Sequence, residues 1–107
     1  MGTIGRISRA DFKQLAARRP RRAAGRFTSL SLYAGGPLRY TCVVSKKTAA
    51  KAAERNRLKR RCREAARLAL ADVPEGAFVF RPLRPALRAP FAELAQDVRA
   101  LVLKAVR

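Results

Sequence analysis

The chain contains no histidine and no tryptophan, and only seven of its 107 residues are acidic. Without histidine there is no imidazole to serve as a general base near neutral pH or as a metal ligand. The acids Asp11, Glu54, Glu64, Asp72, Glu75, Glu93 and Asp97 are scattered, with no pair set to hold metal ions for a hydrolytic reaction. Cysteine is equally scarce: Cys42 and Cys62 are widely spaced, lack zinc-ligand spacing, and read as buried free thiols. No apolar run approaches the roughly 18 residues that a membrane-spanning helix needs. The opening residues, Met1-Gly2-Thr3-Ile4-Gly5-Arg6, carry no apolar signal core and no Ser or Thr where N-myristoylation requires one. These absences predict a cytoplasmic protein with no membrane association, no cofactor of its own and no catalytic side chains.

What the chain has in excess is positive charge. Twenty-five Lys and Arg against seven acids leave a net charge of +18. Self-repulsion of that size calls for a polyanionic partner. The charge is also unevenly distributed. Residues 1–26 hold eight basic side chains and one acid, and residues 46–67 hold ten and two, whereas the stretch from Pro74 onward holds six and three. Such concentration in the N-terminal region and the middle is expected of a binding face.

The hydrophobic pattern predicts the elements. Ser8-Arg9-Ala10-Asp11 resembles a capping box, and Phe12, Leu15 and Ala16 follow at helical spacing, so a first helix is expected over about 9–18. Phe27–Ala34 alternates, with Leu30 and Leu32 on one face and Ser29, Ser31 and Tyr33 on the other. Gly35-Gly36-Pro37 reads as a turn and Leu38–Ser45 as a second strand, which together suggest a hairpin. Thr48 to about Ala71 is strongly helical, free of Gly and Pro until Pro74 and Gly76. Ala77–Leu83 is a third strand, prolines at 82, 85 and 90 punctuate a loop, and an amphipathic helix runs from Phe91. The order α-β-β-α-β-α, with room for a further short strand near 19–24, predicts an α+β fold with helices packed on a small mixed sheet. One RNA-binding domain over 1–107 is expected, with 1–8 as a flexible basic arm.

On a helical wheel, Leu58, Cys62, Ala65, Ala66 and Ala69 form an apolar stripe about 100° wide. Asn56, Lys59, Arg60, Arg63 and Arg67 fall on an adjoining arc, and Arg57 and Arg61 extend the charge further round. Only Glu54 and Glu64 offset these cations, whereas a merely solvated helix intersperses both signs. Arginine suits RNA because its planar fork grips phosphate oxygens and stacks on unpaired bases. Ser45-Lys46-Lys47-Thr48 brings two ammonium groups beside the start of this helix, where anions are favoured.

Val43-Val44-Ser45-Lys46-Lys47, followed after seven residues by Arg55-Asn56-Arg57-Leu58-Lys59-Arg60-Arg61-Cys62-Arg63-Glu64, resembles the Arg-Asn-Arg signature of the protein subunit of bacterial ribonuclease P. The likeness extends to the Asp-Phe opening helix, the Arg-rich link, the Phe-Val-Phe strand and the closing helix. The chain departs from that pattern at Thr48-Ala49-Ala50, where a Gly is frequent, and at Ala16, where a second aromatic is frequent.

The resemblance implies a role in removing the 5′ leader of precursor tRNA, with a catalytic RNA holding the active site and its magnesium. It implies docking on that RNA through Lys46, Lys47, Lys51, Arg57, Arg60 and Arg61, with no protein partner required. It implies leader binding by Phe12, Tyr33, Arg55, Asn56, Lys59 and Arg63, in a cleft between the central helix and the sheet. Aromatic faces at Phe12 and Tyr33 would stack unpaired bases at ~1–3 kcal/mol each. It further implies a left-handed β-α-β crossover, against the right-handed form seen in about 98% of such units. A ribosomal or other basic RNA-binding module without a role in cleavage is the alternative.

Overall fold

A computed structural model describes residues 4–107. It contains strands β1 (Gly5–Arg6), β2 (Arg21–Ala24), β3 (Thr28–Pro37), β4 (Arg39–Cys42) and β5 (Glu75–Pro82). Its helices are α1 (Arg9–Leu15), α2 (Ala52–Ala69) and α3 (Phe91–Val106), with a 3-10 turn at Arg84–Leu87. The strands form one mixed sheet in the order β1-β4-β5-β3-β2, so the architecture is the expected α+β.

The centre of the sheet belongs to β5. Ala77, Phe78, Val79 and Phe80 are all fully buried, as a strand covered on both faces must be. It pairs antiparallel with β3 and parallel with β4. The connection from β4 through α2 to β5 is therefore a crossover between parallel neighbours.

This arrangement corrects the expected hairpin of Phe27–Ala34 with Leu38–Ser45, because β5 lies between the two strands. Gly35 and Gly36 both take positive φ (85° and 77°), and the register slips between Tyr33 and Pro37, so the chain swings wide instead of closing tightly. The gap admits the most apolar strand. The antiparallel hairpin is instead β2–β3, which makes the optional strand near 19–24 an integral one. Its turn is held by Asp97 of α3, whose carboxylate accepts from the Arg26 and Phe27 amides at 2.8 and 2.9 Å. Gly25 is required there, since a Cβ would stand 2.5 Å from an Asp97 oxygen.

Two helix boundaries also shift. Ser8 and Asp11 form a reciprocal capping box, but α1 ends at Leu15. The central helix starts a turn later than Thr48, because Ser45 and Thr48 bond each other across a tight turn that precedes it. Within the expected flexible arm over 1–8, regular structure begins at Gly5. Gly5–Arg6 pairs with β4, Ile7 is buried and Ser8 caps α1; residues 1–3 lie outside the described residues.

Helices cover the two faces of the sheet unequally. On one face α2 packs over β4 and β5, and α3 over β2 and β3. The core lies here, where Leu58, Cys62, Ala65, Ala66, Leu94, Val98 and Val102 meet Leu30, Leu32, Cys42, Phe78 and Phe80. Ala69, expected on the buried stripe, is only partly buried. Full burial of each Leu or Phe contributes ~1.5–3 kcal/mol. On the opposite face only the short α1 lies down, packing its Leu15 with Ile7, Ala77 and Val79.

Candidate nucleic-acid interface

Alternation along the strands decides which side chains reach each face. In β3, Leu30 and Leu32 pair with Phe80 and Phe78 and point into the core. Ser29, Ser31 and Tyr33 therefore point the other way, beside Ala77, Val79 and Arg81. A shallow trough of about 560 Å³ opens on that face, lined by Arg22, Ala24, Ser29, Ser31, Tyr33 and Arg81. Phe12 and Tyr33 are half-buried against the same small cluster, so this face presents two aromatic side chains beside hydroxyls and guanidinium groups.

The base of α1 is fixed electrostatically. The Ser8 amide donates to the Asp11 carboxylate and the Ser8 hydroxyl oxygen accepts from the Asp11 amide; hydrogen bonding to Ser8 holds the Asp11 carboxyl below the ordinary carboxylate value. Arg39 of β4 adds an ion pair to Asp11 at 2.9 Å, tying α1 to the sheet.

Among the described residues, the space directly between the central helix and the sheet, where the cleft is expected, is filled by core side chains. Leu58, Cys62, Ala65 and Ala66 are fully buried against the strands, and that space is core. Phe12 and Tyr33 thus stand on one side of the sheet, while Arg55, Asn56, Lys59 and Arg63 stand on the helix that covers the other. The outer surface of α2 is strongly cationic: Arg57, Arg60, Arg63 and Arg67 are exposed, as is Asn56, and Lys59 is half-buried. Lys46 and Lys47 are exposed in the preceding turn and Lys51 at the helix N-cap.

Two arginines of this helix have backbone partners. Arg55 donates through Nη1 to the Ala49 and Ala50 carbonyls, pinning the turn that leads into its own helix. Arg61 donates through Nε to the Ala86 carbonyl at 3.1 Å and through Nη2 to that of Ala89. Through these two bonds its fork straps the proline-rich 84–90 segment to α2. That segment brings a cation that sequence patterning did not single out: exposed Arg84 donates to the Thr48 carbonyl at 3.2 Å, beside Lys46 and Lys47. Nothing in the local sequence signals this, because the contact joins segments far apart in the chain.

Tyr40 is a second residue that patterning passed over. It pairs with Phe78 in β5 and with Arg6 in β1, so it faces the helix layer at the β1–β4 edge. Partial burial raises its phenol above the ordinary value, against an opposing pull from Arg63, Arg6 and Arg67. Arg67 is in turn paired with Glu64, which raises its guanidinium further. Cys42 and Cys62 are buried together beneath α2. The neighbouring Cys42 thiol and burial push the Cys62 thiol up, which keeps it protonated.

Among the described residues no group of three His, Cys, Asp or Glu side chains could hold a metal ion. No helix among them is long and apolar enough to cross a membrane.

Comparison with known proteins bears on the family and the fold. The family described as Ribonuclease P matches residues 7–106. The ribonuclease P protein component of Kocuria rhizophila is 45% identical over 80 residues, covering 74% of this chain and 70% of that one. The fold is that of the Staphylococcus aureus RNase P protein, with a TM-score of 0.76 at 20% identity over 96% of each chain. It is also that of the Thermotoga maritima RNase P protein, with a TM-score of 0.75 at 23% identity over 90% of this chain and 92% of that one. The chain belongs to the ribonuclease P protein family, whose members are subunits of a ribonucleoprotein endoribonuclease that processes tRNA.

Proposed function

We propose that this subunit uses two surfaces on opposite sides of its sheet to hold two RNAs: the catalytic RNA and the 5′ leader of precursor tRNA. The observation that carries this reading is the division itself. An exposed cationic helix lies on one side and a half-buried aromatic pair beside a polar trough on the other. Lys46, Lys47, Lys51, Arg57 and Arg60 form the docking face for the catalytic RNA, with Arg84 adjoining it. Arg61 supports that face from behind through its carbonyl contacts.

The leader lies on the open face, where Phe12 and Tyr33 offer stacking surfaces to unpaired bases. Asn56, Lys59 and Arg63 reach it where the strand passes round the β1–β4 edge of the sheet; Arg55 acts mainly by ordering the start of α2. Binding to both RNAs is largely electrostatic, as a net charge of +18 requires.

The chemistry stays with the RNA. Three of the protein's seven acids are committed to its own architecture: Asp11 caps α1, Glu64 pairs with Arg67 and Asp97 holds the β2–β3 turn. No three acids among the described residues gather to hold a metal ion, and magnesium belongs to the active site of the RNA. The setting is the cytoplasm, where precursor tRNA is made.

Reconstitution tests the proposal. Nuclease-free protein alone should leave precursor tRNA intact. Added to a bacterial ribonuclease P RNA at low magnesium, it should raise leader cleavage. Cleavage by the RNA-free protein, or no stimulation of the RNA, would overturn the reading.

A further inference from the structure

The β1–β4 edge separates the two surfaces, and its side chains are unlike a solvated strand edge. β1 is two residues long and parallel to β4, and its register sets Arg6 directly beside Tyr40 on the helix-facing side. Tyr40 packs its ring against the core while remaining partly open to solvent. Above it runs α2, where Arg63 follows buried Cys62 on the side nearer the packed stripe and exposed Arg67 lies one turn further along; the charges of both reach the Tyr40 phenol. The strand and the helix therefore deliver three guanidinium groups and one phenol to a single rim. Only Glu64, paired with Arg67, brings a negative charge to it among the described residues.

We propose that Arg6, Tyr40, Arg63 and Arg67 form a binding site for one RNA phosphodiester at the β1–β4 edge. This deepens the two-surface reading given above and rests on it, because the edge is where a strand passing from one surface to the other must bend. The chemistry suits a phosphate. Guanidinium forks grip its oxygens in pairs, and the phenol supplies a further donor. The phenol stays protonated beside three cations because partial burial opposes its ionisation, so it remains a donor at neutral pH. The Glu64 pairing orients Arg67 and leaves part of its fork for the ligand.

The phosphate has two possible sources, the leader or the catalytic RNA, and the test separates them. Holoenzyme is assembled with the unaltered chain and with Tyr40→Phe, Arg6→Ala and Phe12→Ala. Affinity is measured for assembly with the RNA and, at saturation, for precursor and mature tRNA. Phenylalanine fills the same volume, and unchanged thermal unfolding confirms that the fold is kept.

A site that holds a leader phosphate predicts a several-fold weaker grip on precursor, but not on mature tRNA, in Tyr40→Phe. In Arg6→Ala the same loss comes with a salt slope lower by ~0.7, as for one single-stranded contact. The same losses confined to assembly would assign the phosphate to the catalytic RNA. No change in either affinity for both variants would overturn the site. The Phe12→Ala arm is read separately: if it leaves the ratio of precursor to mature tRNA affinity unchanged, the leader surface itself fails, whatever the edge does.

Discussion

A guanidinium carries five N–H donors in a fixed fork, and what those donors meet decides whether an arginine binds a ligand or holds a fold together. On a helical wheel Arg57, Arg60 and Arg61 are neighbours on one charged surface, and spacing alone gives all three the same role. The molecule separates them. Arg57 and Arg60 are exposed, while Arg61 meets the carbonyls of Ala86 and Ala89, 25 and 28 residues further along the chain. A sequence shows which residues share a helix face; it does not show a distant carbonyl arriving there. Arg61→Ala should therefore destabilise the protein by about 2 kcal/mol, the worth of lost bonds to a charged donor less some relaxation. Arg57→Ala should stay within ~0.5 kcal/mol, as exposed substitutions do. Urea unfolding of the two variants measures the difference, and equal stabilities would show that Arg61 is an ordinary surface cation.

Among the elements, the three helices and the strands β3, β4 and β5 were legible from patterning, and β2 only as an optional strand; the partners of the strands were not legible. Leu30 and Leu32 against Tyr33 gave the faces of β3 correctly, and Phe78-Val79-Phe80 marked β5. Two glycines and a proline between two strands read locally as a hairpin turn. Pairing is decided instead by which strand most needs cover on both faces, and that is β5. The short β1 was missed because two residues are too few for any period. The same long-range logic joins Cys42 of β4 to Cys62 of α2, since their elements meet only when the crossover closes. Each single change to Ser buries a hydroxyl among apolar neighbours, at a cost of ~1–3 kcal/mol. The double change should cost less than the sum, because two adjacent hydroxyls can bond each other, a coupling of ~0.5–1.5 kcal/mol. A double-mutant cycle in urea checks this, with activity per folded molecule unchanged. Strict additivity would mean that the two side chains do not touch.

For the whole molecule, the sheet acts as a partition. One face is sealed by α2 and α3, so α2 can offer only its outer surface to RNA; the other is covered by seven-residue α1 alone and stays open. That the central helix is cationic was plain from its composition. Its side of the sheet was not, because helical periodicity tells which residues are buried and says nothing of which sheet face buries them. The consequence is that the two RNA-binding roles should be separable by mutation. Phe12→Ala with Tyr33→Ala removes two stacking surfaces worth ~1–3 kcal/mol each, so precursor tRNA should bind at least tenfold more weakly to the reconstituted complex. Mature tRNA should be unaffected, and so should assembly with the RNA. Arg57→Ala with Arg60→Ala should do the reverse. Assembly should weaken and its salt slope should fall by ~1.8, at ~0.9 for each lost duplex contact, with leader discrimination intact once the complex is saturated. The decisive quantity is the ratio of precursor to mature tRNA affinity, measured for each double variant at saturating protein. If both pairs lower that ratio equally, the sheet does not divide the two RNAs, and the leader must lie across α2 instead.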